Sequence, residues 1–102
     1  MASPIRMTTT TRSVLDALQA AARQDSPTYG LEICRMTDLG AGTVYPILRR
    51  LERIGWVRTF WEEESPDARG PRRRMYELTG EGRAGIAEAQ RSRQVRRLGW
   101  IT

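Results

Sequence analysis

Residues 39 to 57 read LGAGTVYPILRRLERIGWV, and this stretch leaves a small chain few ways to fold. At 100° per residue from Val44, the side chains of Ile47, Leu48, Leu51 and Ile54 fall within about 80° of it. Tyr45, Pro46, Arg49, Arg50 and Arg53 fall on the opposite side. The pattern predicts a helix from Thr43 to Ile54 with one face for a core and one cationic face. Pro46 is expected in the first turn, where a missing amide costs little. Gly55 follows where a left-handed cap belongs. The glycines at 40 and 42 are expected to make the tight turn before it.

The rest of the chain supplies partners for the apolar face. Val14, Leu15, Leu18, Ala21 and Ala22 recur at helical spacing in 11–23, and Pro27 ends that helix. Ser13 with Asp16, or Thr10 or Thr11, would cap it. A second helix is expected from Thr28 to Asp38, with Leu31, Ile33, Cys34 and Met36 on its apolar side. WVRTFWEEE (56–64) and RRRMYELT (72–79) read as two strands around the loop SPDARGP. Val57, Thr59 and Trp61 share one face of the first; Tyr76 and Leu78 share a face of the second. A last helix is expected over 81–98, with a thin stripe of Ala84, Ala87, Val95 and Leu98, and with Ile86 and Ala89 beside it. Gly82 and Gly85 weaken its start.

The chain has 102 residues, enough for one modest core. Its 17 basic residues outnumber 12 acidic ones, giving +5, and every basic residue is arginine. Guanidinium grips phosphate and guanine in a fork that ammonium cannot copy. There is no histidine, and Cys34 is the lone cysteine, a small core residue. The usual zinc, haem and triad chemistries therefore lack their main ligand or base. No catalytic residue, metal site or cofactor is expected. No stretch approaches a membrane span and no signal peptide is visible, so the cytoplasm, at the nucleoid, is the expected location.

Three helices followed by a hairpin describe a winged helix-turn-helix, a mainly α fold with a small β-hairpin. The third helix is then the one that enters a major groove. Arg69, Arg72, Arg73 and Arg74 place a second basic prong on the hairpin. Taken alone, the third helix is equally an ordinary solvated basic face; for the hairpin the wing reading is favoured over charges that guard an edge strand. Together they make the footprint of a duplex binder. Glu62, Glu63, Glu64 and Asp67 are expected to balance these arginines rather than to hold a metal.

YGLEI (29–33), GTVYPILRRLERIGWV (42–57), WEEE (61–64) and GPRRRMYELTGEG (70–82) stand in the order and spacing of one family. In these stretches the chain resembles the PadR-like transcriptional regulators. The resemblance covers about Tyr29 to Gly82. The first ten residues, MASPIRMTTT, read as a flexible arm, 1–10. The resemblance implies a winged helix-turn-helix, here 11–79, then a C-terminal dimerisation helix, here 80–102. It implies a homodimer that binds double-stranded DNA, usually as a repressor. Thr43, Tyr45, Pro46 and Arg49 would face DNA, with Arg50 and Arg53 beside them, and the arginines around Gly70 would reach the flanking backbone. Tyr76, Leu78 and part of Trp61 would belong to the core, and Thr79 would cap the last helix.

The C-terminal helix departs from the family pattern, since Arg91, Arg93, Arg96 and Arg97 interrupt its apolar seam. Dimerisation would then rest on Ala84, Ala87, Val95 and Leu98, helped by Trp100 and Ile101. Several family members bind flat aromatic effectors between tryptophans at the dimer interface. Only Trp100 is placed for that here, and nothing else in the sequence supports an effector. Two other readings stay open: a small architectural or recombination-accessory DNA binder, and an interaction module for an acidic protein.

Overall fold

A computed structural model describes residues 4–67 and 70–99. The elements run α1 (Thr9–Arg23), β1 (Thr28–Tyr29), α2 (Gly30–Thr37), α3 (Ala41–Arg53), β2 (Val57–Trp61), β3 (Arg74–Leu78) and α4 (Gly80–Leu98). The three strands form an antiparallel sheet in the order β1-β3-β2. This is the winged helix-turn-helix expected, mainly α with a small sheet.

The apolar spacing in each helix accounts for the core. Val14, Leu15 and Leu18 of α1, Ile33 of α2 and Val44, Ile47, Leu48 and Leu51 of α3 are buried together. Trp56, Val57, Tyr76 and Leu78 close it from the hairpin, and Ile86 from α4. Gly55, at φ +81°, reverses the chain after α3, and the Trp56 amide then donates to the Leu51 carbonyl at 2.9 Å. Thr79 caps α4 by accepting from the Gly82 amide at 3.0 Å and donates its own proton to the Gly55 carbonyl at 2.6 Å. One threonine thereby ties the end of α3 to the start of α4.

Several expectations are corrected. The segment before α1 is not a free arm from Pro4 onward: Ile5 is buried, Met7 packs on the core, and Arg12 donates to the Met7 carbonyl at 3.2 Å. Residues 1–3 lie outside the described residues. The cap of α1 is Thr8, whose hydroxyl oxygen accepts from the Thr11 amide, so neither Ser13, Thr10 nor Thr11 is the cap. Thr28 and Tyr29 are not helical but pair with Tyr76 and Met75 across β3. On α2, Gly30 and Ile33 are buried and Cys34 packs on the core, whereas Leu31 and Met36 are exposed.

The turn between α2 and α3 also differs. Asp38, not a glycine, takes the left-handed conformation, at φ 60°. Gly40 is the extended N-cap of α3, and Gly42 lies inside the helix. Pro46 therefore sits beyond the first turn, where its missing amide leaves the Gly42 carbonyl without its helical donor. Both hairpin strands are shorter than the apolar run suggested, and Trp61 is 55% exposed because β2 runs past the edge of the core.

On α4 the anchor is Ile86, while Ala84 is exposed and Ala87 half-buried. Gly82 and Gly85 have a reason to be glycine. A Cβ at Gly82 would collide with the Trp56 carbonyl, and one at Gly85 with the Trp56 indole. The helix gives up intrinsic propensity and gains close packing on that ring. Beyond Ile86 it projects, and the molecule measures 61 × 26 × 24 Å.

Candidate nucleic-acid interface

The buried stripe of α3 fixes which way its other face points. Val44, Ile47, Leu48 and Leu51 are 2% exposed or less, so the helix cannot roll. Thr43, Arg49, Arg50 and Arg53 are consequently exposed, and Pro46 is half-buried. Among the described residues no carboxylate pairs with Arg49, Arg50 or Arg53. Arg50 bends back to donate to the Pro46 carbonyl at 3.4 Å. Uncompensated guanidinium groups on a rigid helix are what phosphate and guanine recognition needs.

Tyr45 is placed differently from the arginines. The end of its ring rests against the Gly30 backbone, so closely that a Cβ there would collide with it. Gly30 lets the start of α3 approach the start of α2. Tyr45 is half-buried in that junction and also touches the core.

The hairpin arginines are mostly held by the molecule itself. Arg73 donates to Glu62 at 2.6 Å across the hairpin, and its guanidinium lies 4.1 Å from the centre of the Tyr29 ring. The hydrogen bond from Arg73 holds the Glu62 carboxyl below its ordinary range, and the same bond raises Arg73. Arg74 donates to the Thr59 hydroxyl at 2.9 Å and covers the Trp61 ring at 5.4 Å. Arg72 is freer, 3.8 Å from Glu64. Arg69 lies outside the described residues. Behind them, burial pushes the Tyr76 hydroxyl up from its usual pKa.

The acidic run thus serves the hairpin. Among the described residues, no group of three or more acidic or cysteine side chains is gathered as a metal site. No helix among them is long and apolar enough to cross a membrane.

On α4, Val95 is 69% and Leu98 49% exposed. Beside them a cavity of about 480 Å³ opens between α1, the N-terminal segment and α4, floored by Leu15, Trp56 and Ile86. Trp100 and Ile101 lie outside the described residues. Sequence reasoning passed over Tyr29 as a meeting point: it pairs with β3, precedes Gly30, lies under Arg73, and accepts a hydrogen bond from Arg35 at 2.7 Å. No local pattern announces that convergence.

The model of the transcriptional regulator PadR-like family matches residues 18–88. The chain belongs to that family. The matched region runs from within α1 through the hairpin to Ile86 and two residues beyond. Solved structures agree on the fold. A PadR family transcription regulator from Clostridium difficile is 23% identical, with 92% of this chain and 98% of that one covered and a TM-score of 0.68. A PadR family regulator from Eggerthella lenta is 27% identical over 89% of this chain and 83% of that one, TM-score 0.60. A Streptococcus transcriptional regulator is 29% identical over 89% of each chain, TM-score 0.59. No curated protein matches. Membership in the PadR-like family makes this chain a transcriptional regulator, with DNA as the implied partner, and sets it among regulators rather than enzymes.

Proposed function

We propose that the protein is a repressor that binds a palindromic operator as a homodimer. The observation that carries this reading is the arginine face of α3, which no carboxylate pairs among the described residues, opposite a fully buried stripe. Two copies would set their α3 helices in successive major grooves, about 34–36 Å apart. Arg49, with Thr43 and Pro46, reads base edges; arginine bidentate to guanine is the commonest specific contact. Arg50, Arg53 and Arg72 meet phosphates, joined by Arg69. Tyr45, Arg73 and Arg74 take part while also holding the α2–α3 junction and the hairpin.

The distal part of α4 supports the homodimer. An uncovered helical segment of this length is marginal in water, and Val95 and Leu98 stand exposed on it beside an apolar cavity. A second copy covering Ala84, Ala87, Val95 and Leu98, with Trp100 and Ile101, would stabilise both. The site of action is the nucleoid in the cytoplasm.

Selection of bound fragments from genomic DNA by the purified protein, with its molar mass in solution, tests the reading. The expected result is a palindrome with half-sites one helical turn apart and a mass of two chains. Between 50 and 200 mM salt, about 6–10 phosphate contacts would cost roughly three to five decades of affinity. Phased repeats would favour an architectural DNA binder, and a flat salt response would rule out duplex binding as the basis of function.

A further inference from the structure

Arg35 stands out among the cations away from α3. It lies in the last turn of α2, exposed, and its guanidinium reaches back toward the start of that helix. There it donates to the Tyr29 hydroxyl at 2.7 Å, 5.6 Å from the centre of the ring. The nearby carboxylates leave it uncompensated. Glu32, three residues before it, accepts instead from the Thr28 hydroxyl at 2.8 Å, and Asp38, three residues after it, makes no ion pair with it. Arg73, on the same tyrosine, is already balanced by Glu62.

Tyr29 itself joins the two basic prongs. The residue after it, Gly30, carries the Tyr45 ring of α3; its own ring carries Arg73 of the hairpin. A cation fixed to Tyr29 is therefore held between the recognition helix and the wing. A flexible arginine at the surface loses rotamer freedom when it grips a ligand, and one already held by a hydroxyl loses less. The Tyr29 bond uses one of five guanidinium N–H donors and leaves the others free for an anion.

We infer that Arg35, positioned by the Tyr29 hydroxyl between α3 and the wing, is a clamp for a DNA backbone phosphate. This deepens the regulatory reading and rests on it. The contact carries no sequence information; it fixes the register of α3 in the groove.

The test is a salt titration of affinity with the full chain, on the selected operator and on a mixed-sequence duplex several turns long. Wild type, Arg35→Ala, Arg35→Lys, Tyr29→Phe and Arg49→Ala are compared. The slope of log affinity against log salt should fall by about 0.9 per bound protomer in Arg35→Ala, equally on both duplexes. Arg35→Lys should restore the slope, since the charge returns. Tyr29→Phe should keep the slope and weaken binding, because the charge remains but loses its support. Thermal melts of the Arg35 variants should match wild type, as Arg35 lies at the surface. An unchanged slope in Arg35→Ala, while Arg49→Ala weakens operator binding, would overturn the clamp and leave the regulator standing. Wild-type protein binding neither duplex would overturn both.

Discussion

The third helix and the wing both carry arginine, and they use it in opposite ways. Arg49, Arg50 and Arg53 have no carboxylate partner among the described residues, whereas Arg73 is bonded to Glu62 and Arg74 to Thr59. The difference follows from what holds each element. Helix α3 is fixed by Val44, Ile47, Leu48 and Leu51, so its charges are free to face outward. Strand β2 leaves the core after Val57, and Trp61 at its far end is exposed. The hairpin has little apolar burial to hold its outer half, and its arginines supply cross-strand contacts instead. Charge on a well-packed element is available for recognition; charge on a poorly packed one is partly occupied by the fold.

The strongest way to break this comparison is to remove the packing under α3. Leu48→Ala should destabilise the protein by about 2–5 kcal/mol, read in urea or thermal unfolding, and DNA binding should fail along with the fold. A smaller change would mean the helix is held by something other than its buried stripe. Next, Arg49→Ala should cost about 1–3 kcal/mol of operator affinity, confined to one base position, with the melting temperature unchanged. A loss of thermal stability there would place Arg49 with the wing arginines.

The wing gives the contrasting result. Arg73→Ala should lower both the melting temperature and the affinity, the latter on every sequence alike, because one side chain serves fold and phosphate. Glu62→Gln sharpens the point: it frees a cation, so the salt dependence of DNA binding should steepen while the hairpin loosens. If Glu62→Gln left the salt dependence as it was, Arg73 would be a purely structural residue.

The smallest effect is on pH. The bond from Arg73 depresses the Glu62 pKa in the folded state. Its stabilisation is therefore complete above the unfolded value of about 4.3 and is lost as the pH falls through the lowered value. Acid unfolding of wild type and Glu62→Gln should converge below that window and separate above it. Near neutral pH neither melting curve should depend on pH through this group.

What could be read in advance depended on the range of the cause. The α3 stripe and the Gly55 cap were legible because a period of 3.6 and a single reversing residue are local signals. The two prongs were legible as charge. Strand β1 was not, since two residues carry no period, and only pairing with Met75 and Tyr76 makes Thr28 and Tyr29 a strand. Ile5 lay hidden in an apparent arm because its pocket is built by later elements. The core-facing side of α4 was not legible for a similar reason: alanine, valine and arginine alternate there too weakly to choose a face. Trp56 chooses it, by fitting against Gly82 and Gly85.

The sequence by itself determined a family, a winged helix-turn-helix and a cationic third helix, because apolar spacing and arginine placement act within a few residues. Only the tertiary structure decided which arginines are free, which are tied to Glu62, Thr59 or Tyr29, and why two glycines sit in α4. Those outcomes depend on atoms brought together across the fold, where an ion pair or a collision acts over a few ångströms in space rather than along the chain.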